Sequence, residues 1–189
     1  MCKRLVIALV TLSLLTLGVG VASAQDVFKL SYFSNNAAPA PDATVRIDNP
    51  GLTYGNLCAM IYVFDADQQL SECCGCVETH NGLRTLSVRA DLTSNPLTGI
   101  VSRNGVVKIV SAAVNNSRCD PTSNVSPKSN LRAWATHIQN AVGTAFPITE
   151  TSFDDSTLGA TELANLQAQC FFVNLLGSGQ GICSCGTGD

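Results

Sequence analysis

Charged residues are scarce in this 189-residue chain, and basic residues are scarcer than acidic ones. Charged side chains make up 13% of the sequence, with 11 basic residues against 14 acidic ones and a net charge of −3. Nucleic acids and anionic membranes are bound through clustered Lys and Arg side chains. The composition therefore argues against both as partners.

Histidine and recognisable catalytic motifs are also lacking. The chain has two histidines, His80 and His137, and no G-x-S-x-G motif of the kind that presents a nucleophilic serine. A Ser-His-Asp arrangement around His137 is formally possible. However, His137 follows Trp134 in a predicted strand and is better explained as a strand residue whose nitrogens are satisfied by neighbours. We therefore expect that the protein is not an enzyme and needs no cofactor.

The first 24 residues have the features of a secretory signal peptide. Lys3 and Arg4 precede an apolar run that ends at Val21, and Ala22-Ser23-Ala24 supplies the small residues of an A-x-A cleavage site. The apolar run is at the short end for spanning a bilayer. We expect cleavage after residue 24, secretion to the exterior or the cell surface, and no membrane contact after cleavage.

Cysteine is abundant in the expected mature chain. An even number of cysteines in an exported protein indicates disulfides. The eight are Cys58, Cys73, Cys74, Cys76, Cys119, Cys170, Cys183 and Cys185. The adjacent Cys73 and Cys74 are expected to reach different partners. The C-terminal pair is a candidate for stapling the tail to the body, and a bridge between Cys170 and Cys119 could join a late helix to the loop before it.

A metal site is the alternative interpretation of the same cysteines. Cys73, Cys74 and Cys76, followed by His80, bring soft and imidazole ligands close together, as zinc and copper sites do. Thiols of exported proteins are normally consumed by disulfide formation. We therefore expect disulfides and no metal, and a metal or redox protein is the third of our functional hypotheses.

Short apolar or alternating segments separated by turn signals predict a mainly β fold. The central strand is predicted at 57–64, which is apolar on both faces, and the cysteine-rich stretch after it is expected to be a loop. Residues 131–139 could form a strand or a helix, and we favour a strand with Trp134, Thr136 and Ile138 facing inward. The other strand candidates are 25–33, 44–48, 83–92, 106–114 and 145–153, the last an edge strand because it contains Pro147. This pattern predicts a single β-sandwich or Greek-key domain, immunoglobulin-like or jelly-roll-like.

One helix is predicted near the C-terminus, at about 161–176. Apolar residues recur there at spacings of three and four, which is the period of an amphipathic helix; they are Leu163, Leu166, Cys170 and Val173. Thr161 is expected to cap the start of the helix and Gly177 to end it.

The expected mature N-terminus is set off from the rest of the chain. Residues 25–33 alternate, with Phe28, Leu30 and Tyr32 on one face and Val27 and Phe33 on the other. A stretch rich in Pro, Ala and Asn follows and predicts an extended linker. The predicted divisions are a signal peptide at 1–24, an N-terminal strand with its linker at 25–43, and a disulfide-bonded β domain at 44–189.

Several blocks of the sequence resemble known proteins. They are LCAMIYVFDADQQLSECCGC at 57–76, GLRTLSVRADLTSNPLTG at 82–99, LRAWATHIQ at 131–139, ELANLQAQC at 162–170 and GSGQGICSCG at 177–186. Together they resemble a family of small exported cysteine-rich bacterial proteins, of the kind found in acidobacteria-like genomes. That family has no assigned enzymatic activity, so the resemblance implies no catalytic residues. More weakly, the layout resembles pilus-like filament subunits that polymerise by donor-strand exchange.

A donor strand would use the N-terminal segment. In this kind of assembly an N-terminal strand leaves its own body and completes the sheet of a neighbour. A head-to-tail contact of this kind does not close, so it gives a fibre. We expect an exported structural subunit that polymerises with itself into extracellular or cell-surface filaments. The inserted residues would be Val27, Phe28, Leu30, Tyr32 and Phe33.

The alternative is that the N-terminal strand belongs to its own sheet. The protein would then be a monomeric secreted module that binds a carbohydrate or another small ligand. That hypothesis predicts a solvent-lined groove with exposed aromatic residues. The chain has one tryptophan, Trp134, and three tyrosines for stacking on sugars, which is a small supply.

Overall fold

The computed structural model describes residues 26–34, 38–52, 55–123 and 125–186. The expected signal peptide lies outside the described residues. In the described part of the chain, nine strands precede one α-helix: β1 Phe28–Ser34, β2 Thr44–Asp48, β3 Leu57–Asp65, β4 Leu70–Glu78, β5 Leu83–Ser87, β6 Asn104–Ala113, β7 Arg132–Ile138, β8 Ile148–Ser152, β9 Asp154–Ser156 and α1 Ala160–Leu176.

The strands form two antiparallel sheets that lie face to face. The order is β4-β3-β6-β1-β9 in the five-stranded sheet and β5-β2-β7-β8 in the four-stranded sheet. The chain changes sheet between β8 and β9 at Phe153, which is buried between the sheets and donates its backbone N–H to the Ala133 carbonyl at 2.9 Å. The predicted fold class, a mainly β sandwich with one C-terminal helix, is confirmed.

Strand β7 presents its small residues to the space between the sheets. Ala133 and Ala135 are 4% and 2% exposed and belong to the inter-sheet core. Because side chains of a strand alternate between its two faces, Trp134 and Thr136 lie on the outer face. The predicted inward orientation is therefore wrong for these two residues, while Ile138 is buried in the core as predicted.

The outer face of the five-stranded sheet is covered by α1. Leu166, Cys170 and Val173 of the helix are buried in an outer cluster that includes Met60 and Tyr62 of β3. Strand β3 is therefore enclosed between the inter-sheet core and the helix. This double burial explains why its sequence is apolar on both faces.

Only the C-terminal end of α1 agrees with the prediction. Gly159 occupies the N-cap position without a side-chain hydrogen bond, so the predicted cap at Thr161 is wrong. The helix ends at Gly177, as predicted, and the Gly177 N–H donates to the Val173 carbonyl at 2.8 Å. Within the described residues, no helix is both long enough and apolar enough to cross a membrane.

The cysteine-rich stretch is a strand, β4, and not the predicted loop. It pairs with β3 along its length, with one register shift near its start. Its cysteines alternate, since Cys74 and Cys76 belong to the inter-sheet core and Cys73 belongs to the outer cluster. Buried cysteine behaves as a small hydrophobic residue, so this stretch has the alternation of a strand once its cysteines are counted as apolar.

Two further segments differ from the prediction. The strand predicted at 83–92 ends at Ser87 and continues as a π-helical turn, Val88–Leu92. The Ser87 hydroxyl accepts a hydrogen bond from the Ala90 N–H at 2.7 Å, which favours the turn over a continued strand. Strand β9 was not predicted, because three residues with two aspartates give no strand pattern.

All eight cysteines of the expected mature chain form disulfides. The pairs are Cys58–Cys119, Cys73–Cys170, Cys74–Cys183 and Cys76–Cys185. The adjacent cysteines of β4 reach different partners and the C-terminal pair staples the tail, as predicted. The predicted bridge between Cys170 and Cys119 is wrong, because each of these residues is bonded to a strand of the five-stranded sheet.

The loop that carries Cys119 lies directly on β4 at Gly75. A Cβ atom at this position would lie 2.2 Å from the Cys119 carbonyl oxygen, far inside contact distance. Glycine allows this close approach of two backbones. The bridge from Cys119 to β3 therefore depends on a β4 residue that has no side chain.

The bridge between β4 and α1 is expected to contribute strongly to stability. With the neighbouring Cys74–Cys183 bridge in place, the Cys73–Cys170 bridge closes a loop made of residues 73–74 and 170–183, and closing a loop of about 15 residues lowers the entropy of the unfolded chain by the equivalent of about 3 kcal/mol. The Cys73→Ala/Cys170→Ala double variant should lose about that much free energy of unfolding in non-reducing urea denaturation. A loss below about 1 kcal/mol, with the other three bridges intact in a non-reducing peptide map, would contradict this pairing.

Candidate functional site

Strand β1, the predicted donor strand, lies inside the five-stranded sheet of its own chain. It pairs with β6 from Phe28–Val110 to Ser34–Asn104, and with β9 from Phe28 to Leu30. Its sequence neighbour β2 belongs to the other sheet. A β1 strand donated by another copy would make the same pairings, so the donor role stays a prediction.

The five candidate interface residues differ in burial. Val27, Phe28 and Phe33 are 4%, 1% and 2% exposed, whereas Tyr32 is 56% exposed. Leu30 is partly buried against the outer cluster. Val27 and Phe28 belong to that outer cluster, and Phe33 belongs to the inter-sheet core. Strand β1 therefore contributes to both hydrophobic clusters.

A buried charge fixes the register of β1. Lys29 is 5% exposed, and its Nζ lies 2.6 Å from Asp155 Oδ1 and 3.1 Å from Asp26 Oδ1. Lys29 and Asp155 are also register partners in the pairing of β1 with β9. An ammonium group removed from water is costly unless carboxylates pair with it. A shifted β1 would separate Lys29 from Asp155 and keep only Asp26, which belongs to the same segment, so the pair with Asp155 favours one register.

The segment between β1 and β2 is attached to the body from Ala40 onward. Ala40 is buried in the inter-sheet core, and its carbonyl accepts a hydrogen bond from Arg89 at 2.9 Å. Asp42 accepts a hydrogen bond from the Ser87 hydroxyl. The second half of the predicted linker is thus held against the π-helical turn.

The C-terminal tail closes the outer edge of β4. Cys73 donates its backbone N–H to the Gly181 carbonyl at 2.8 Å and accepts from the Cys183 N–H at 3.2 Å. The tail runs parallel to β4 at this point. The bridges Cys74–Cys183 and Cys76–Cys185 therefore join two neighbouring segments at positions two residues apart.

The sulfur atoms that the metal hypothesis requires, those of Cys73, Cys74 and Cys76, are each bonded to another cysteine. The Sγ atoms of Cys74, Cys76 and Cys185 lie within 4.8 Å of each other, and each belongs to a disulfide. Soft metals bind thiolates, which a disulfide does not supply. His80 lies at an exposed turn after β4, with Nδ1 3.0 Å from Asn81 Nδ2. A metal or redox role for this cluster would first need reduction of the bridges.

A groove of about 750 Å³ lies between α1, the tail and the loop that contains Cys119. Phe171 and Leu175, which are 50% and 63% exposed, supply apolar lining, and Arg118 and Asp120 supply charged groups. Its described lining contains no histidine, and the Thr122 hydroxyl donates a hydrogen bond to Asp120 Oδ1 at 2.7 Å on the exposed loop. The groove therefore offers an apolar surface for contact beside a small polar loop.

Glu72 is a carboxyl group fully enclosed by protein. It is 0% exposed, and its Oε1 accepts a hydrogen bond from the Asn95 backbone N–H at 2.8 Å. Its Oε2 has no hydrogen-bond partner among the described residues. Burial raises the pKa of Glu72 to about 7, against the smaller opposing effect of the Asn95 hydrogen bond. Sequence reasoning missed this residue, although it alternates with Cys74 and Cys76 on β4.

His137 is buried under an exposed ring. It is 1% exposed, its Nε2 lies 2.7 Å from the Thr151 hydroxyl, and the Tyr32 ring stacks on it with centroids 4.0 Å apart. Burial lowers the pKa of the imidazole and so favours its neutral form. Its Nδ1 has no partner among the described residues. No described carboxylate orients the ring at Nδ1, which is where the acid of a Ser-His-Asp arrangement would bind.

Trp134 lines a cavity of about 470 Å³ on the outer face of the four-stranded sheet. The sequence analysis singled out Trp134, and the structure adds four more lining residues from the neighbouring strands. They are Arg46, Asp48, Leu83 and Glu150. The sequence analysis did not identify these four residues, because they belong to no motif and only the register of β5, β2, β7 and β8 brings them together.

Comparison of the chain with protein-family models, with curated proteins and with solved structures gives no match. Its function therefore has to be argued from its own residues and their geometry.

Glu72 should make the protein less stable as pH rises through its titration range. Its pKa is about 7 in the folded protein against an ordinary value of 4.5, so between these values the unfolded chain releases a proton that the folded protein keeps. The resulting stabilisation is complete below about pH 4.5 and is lost as pH rises to about 7. The Glu72→Gln variant cannot ionise and should lack this change, which is on the order of 3 kcal/mol.

The measurement is urea denaturation of both proteins at pH 4.5 and pH 8. Subtracting the two pH dependences removes the contribution of all other groups. Glu162→Gln is the matched control, since Glu162 lies in the first turn of α1 and is partly exposed. Equal pH dependences in the wild-type protein and in Glu72→Gln would refute the assignment.

Proposed function

We propose that the protein is an exported structural subunit that assembles with its own copies into filaments by exchanging strand β1. The observation that carries the proposal is that β1 lies outside every disulfide loop. The four bridges all lie between Cys58 and Cys185. Strand β1 is therefore held by hydrogen bonds, one buried ion pair and packing, while its partner β6 belongs to the cross-linked body.

The place of β1 in the sheet has to be filled by some strand. Without β1, the apolar surface that covers Phe28 and Phe33 would be open to water, and burying each phenylalanine is worth about 1.5–3 kcal/mol. The β1 strand of a neighbour can supply the same side chains and the same partner for Asp155. Exchange therefore replaces each lost contact with an identical one, which is why swapping an element has a low cost.

In the proposed exchange, residues 35–39 connect β1 to the body and act as the hinge. Fully extended, they span at most roughly 17 Å, and Ala40 stays with the body, so neighbouring bodies must be in direct contact. A reciprocal exchange between two copies would close into a dimer. In the proposed exchange each subunit gives its strand to one neighbour and receives a strand from another, so the contact is head-to-tail and grows into a filament.

The edges of the two sheets are β4, β9, β5 and β8, and three of them are protected against strand addition. The tail covers β4 at Cys73. Pro147 precedes β8, and β9 is three residues long with Asp154 and Asp155. Prolines, charges and short edge strands all disfavour pairing with another chain. The remaining edge strand, β5, has five residues against the seven of β1, so the position of β1 offers the longer pairing surface for joining copies.

The disulfides also bear on location. Four bridges are typical of proteins that fold in an oxidising compartment. This supports a location outside the cell for the proposed filament.

Engineered cysteines should reveal exchange without removing any part of β1. Ser34 and Asn104 are register partners in β1 and β6, and such partners lie at about 4.5–5.5 Å between Cα atoms, within disulfide range. We expect that Ser34→Cys and Asn104→Cys proteins, mixed in urea and refolded together, form an interchain disulfide. Non-reducing electrophoresis would then show a covalent dimer.

The matched control is Ser34→Cys mixed with Thr149→Cys, because Thr149 is exposed on β8 and does not pair with β1. It should give no comparable dimer. The doubly substituted Ser34→Cys/Asn104→Cys chain should give a ladder of covalent oligomers. If that chain gives only an internally bridged monomer and the mixed proteins give no dimer, β1 stays in its own sheet and strand exchange is refuted.

Electron microscopy tests the filament itself. The purified mature chain should form filaments, and a chain that lacks residues 25–36 should not, because its sheet has no β1 to donate. Adding a synthetic peptide of residues 25–36 to the truncated protein should give complemented monomers. Filaments formed by the truncated chain would show that assembly uses another surface.

A further inference from the structure

A row of side chains crosses the whole outer face of the four-stranded sheet. Arg46 and Trp134 are register partners in β2 and β7. Thr85 of β5 is the partner of Arg46 on the other side, and Ser152 of β8 is the partner of Trp134. Register partners on one face are in contact range. The row spans four strands, or roughly 14 Å, because neighbouring strands lie about 4.8 Å apart.

The cavity beside this row has one apolar part and one polar part. Trp134 and Leu83, which is 52% exposed, supply the apolar part. Arg46, Asp48 and Glu150 supply the polar part. Ligand pockets of proteins combine these two features, with the apolar part giving affinity and a few polar groups giving orientation.

The charges of the cavity are nearly balanced. Arg46 Nη1 lies 2.5 Å from Glu150 Oε1, and both side chains are 41% exposed. Asp48 adds one carboxylate, so the lining is slightly acidic and disfavours a phosphate, sulfate or carboxylate ligand. At the same time it offers both donors and acceptors, since a guanidinium only donates and carboxylates only accept.

We propose that this face, the Trp134 platform, binds a neutral saccharide built of pyranose rings. A pyranose ring has apolar C–H groups on its face, which can be buried against the indole and Leu83. Its rim carries hydroxyl groups that both donate and accept, so they fit Asp48 and Arg46 together, with charge-assisted hydrogen bonds. The length of the row suits a short oligosaccharide.

The platform is independent of strand exchange. It lies on the outer face of the four-stranded sheet, whereas β1 belongs to the five-stranded sheet. A monomer and a filament subunit would therefore bind the same saccharide, and failure of either proposal leaves the other untouched.

The single tryptophan makes binding directly observable. Trp134 is the sole tryptophan of the chain, so its emission reports on the platform alone. The mature protein is titrated with soluble hexasaccharides of β-1,4-glucose, α-1,4-glucose, β-1,4-mannose, β-1,4-xylose and β-1,4-N-acetylglucosamine. We expect a saturable change of emission, with protection from acrylamide quenching, for at least one of these five probes.

Two variants test whether the saccharide binds at the Trp134 platform or at another surface. Asp48→Asn should weaken binding of the responding probe about tenfold, because it replaces a charged acceptor by a neutral amide. Phe172→Ser removes an exposed aromatic of α1, which covers the other sheet, and should leave the affinity unchanged. No saturable change with any of the five probes overturns the proposal. Equal affinity of the Asp48→Asn variant, or stronger binding of a sulfated than of a neutral hexasaccharide, overturns it as well.

Discussion

Strand β4 is the covalent centre on which the rest of the structure depends. Its three cysteines are bonded to two different segments, with Cys73 joined to α1 and the other two joined to the C-terminal tail. Because side chains of a strand alternate, the helix bridge leaves one face of β4 and the two tail bridges leave the other. The bridge to α1 holds the helix over the outer face of the five-stranded sheet, and the two tail bridges hold the tail against the edge of β4. A chain with few charged residues is thus held together by covalent bonds and apolar packing.

The disulfides divide the molecule into a cross-linked body and an N-terminal part that no disulfide reaches. Every loop that they close lies between Cys58 and Cys185, so β1 and β2 are outside them. If β1 leaves its sheet, the body keeps its four bridges, and the cost is confined to the hinge and to the surface that β1 covered. Docking into a second copy regains that surface. The distribution of disulfides therefore suits a subunit whose first strand can change partner.

The sequence locates the elements with regular patterns and fails where position depends on distant contacts. Strand β2 was predicted with its observed bounds, and β3 and α1 each within one residue. Apolar residues alternate in β2, run continuously in β3 and recur at spacings of three and four in α1. Strand β4 was missed because its apolar residues are cysteines. The face of Trp134 was mistaken because alternation shows which residues share a face but not which face is inward. The alanines on either side of Trp134 fit inward because large side chains such as Ile61 and Leu86 already fill the core.

The two proposed surfaces lie on different sheets, and this separation has a physical consequence. Strand exchange would join neighbours at the five-stranded sheet, which leaves the outer face of the four-stranded sheet of each subunit available. A filament would then carry one Trp134 platform per subunit at regular intervals. A small site with a single tryptophan gives a weak interaction, but linked copies raise the effective concentration for each further contact with one polymer. Assembly would thus convert a weak saccharide site into strong attachment to a polysaccharide, without any new contact in the subunit.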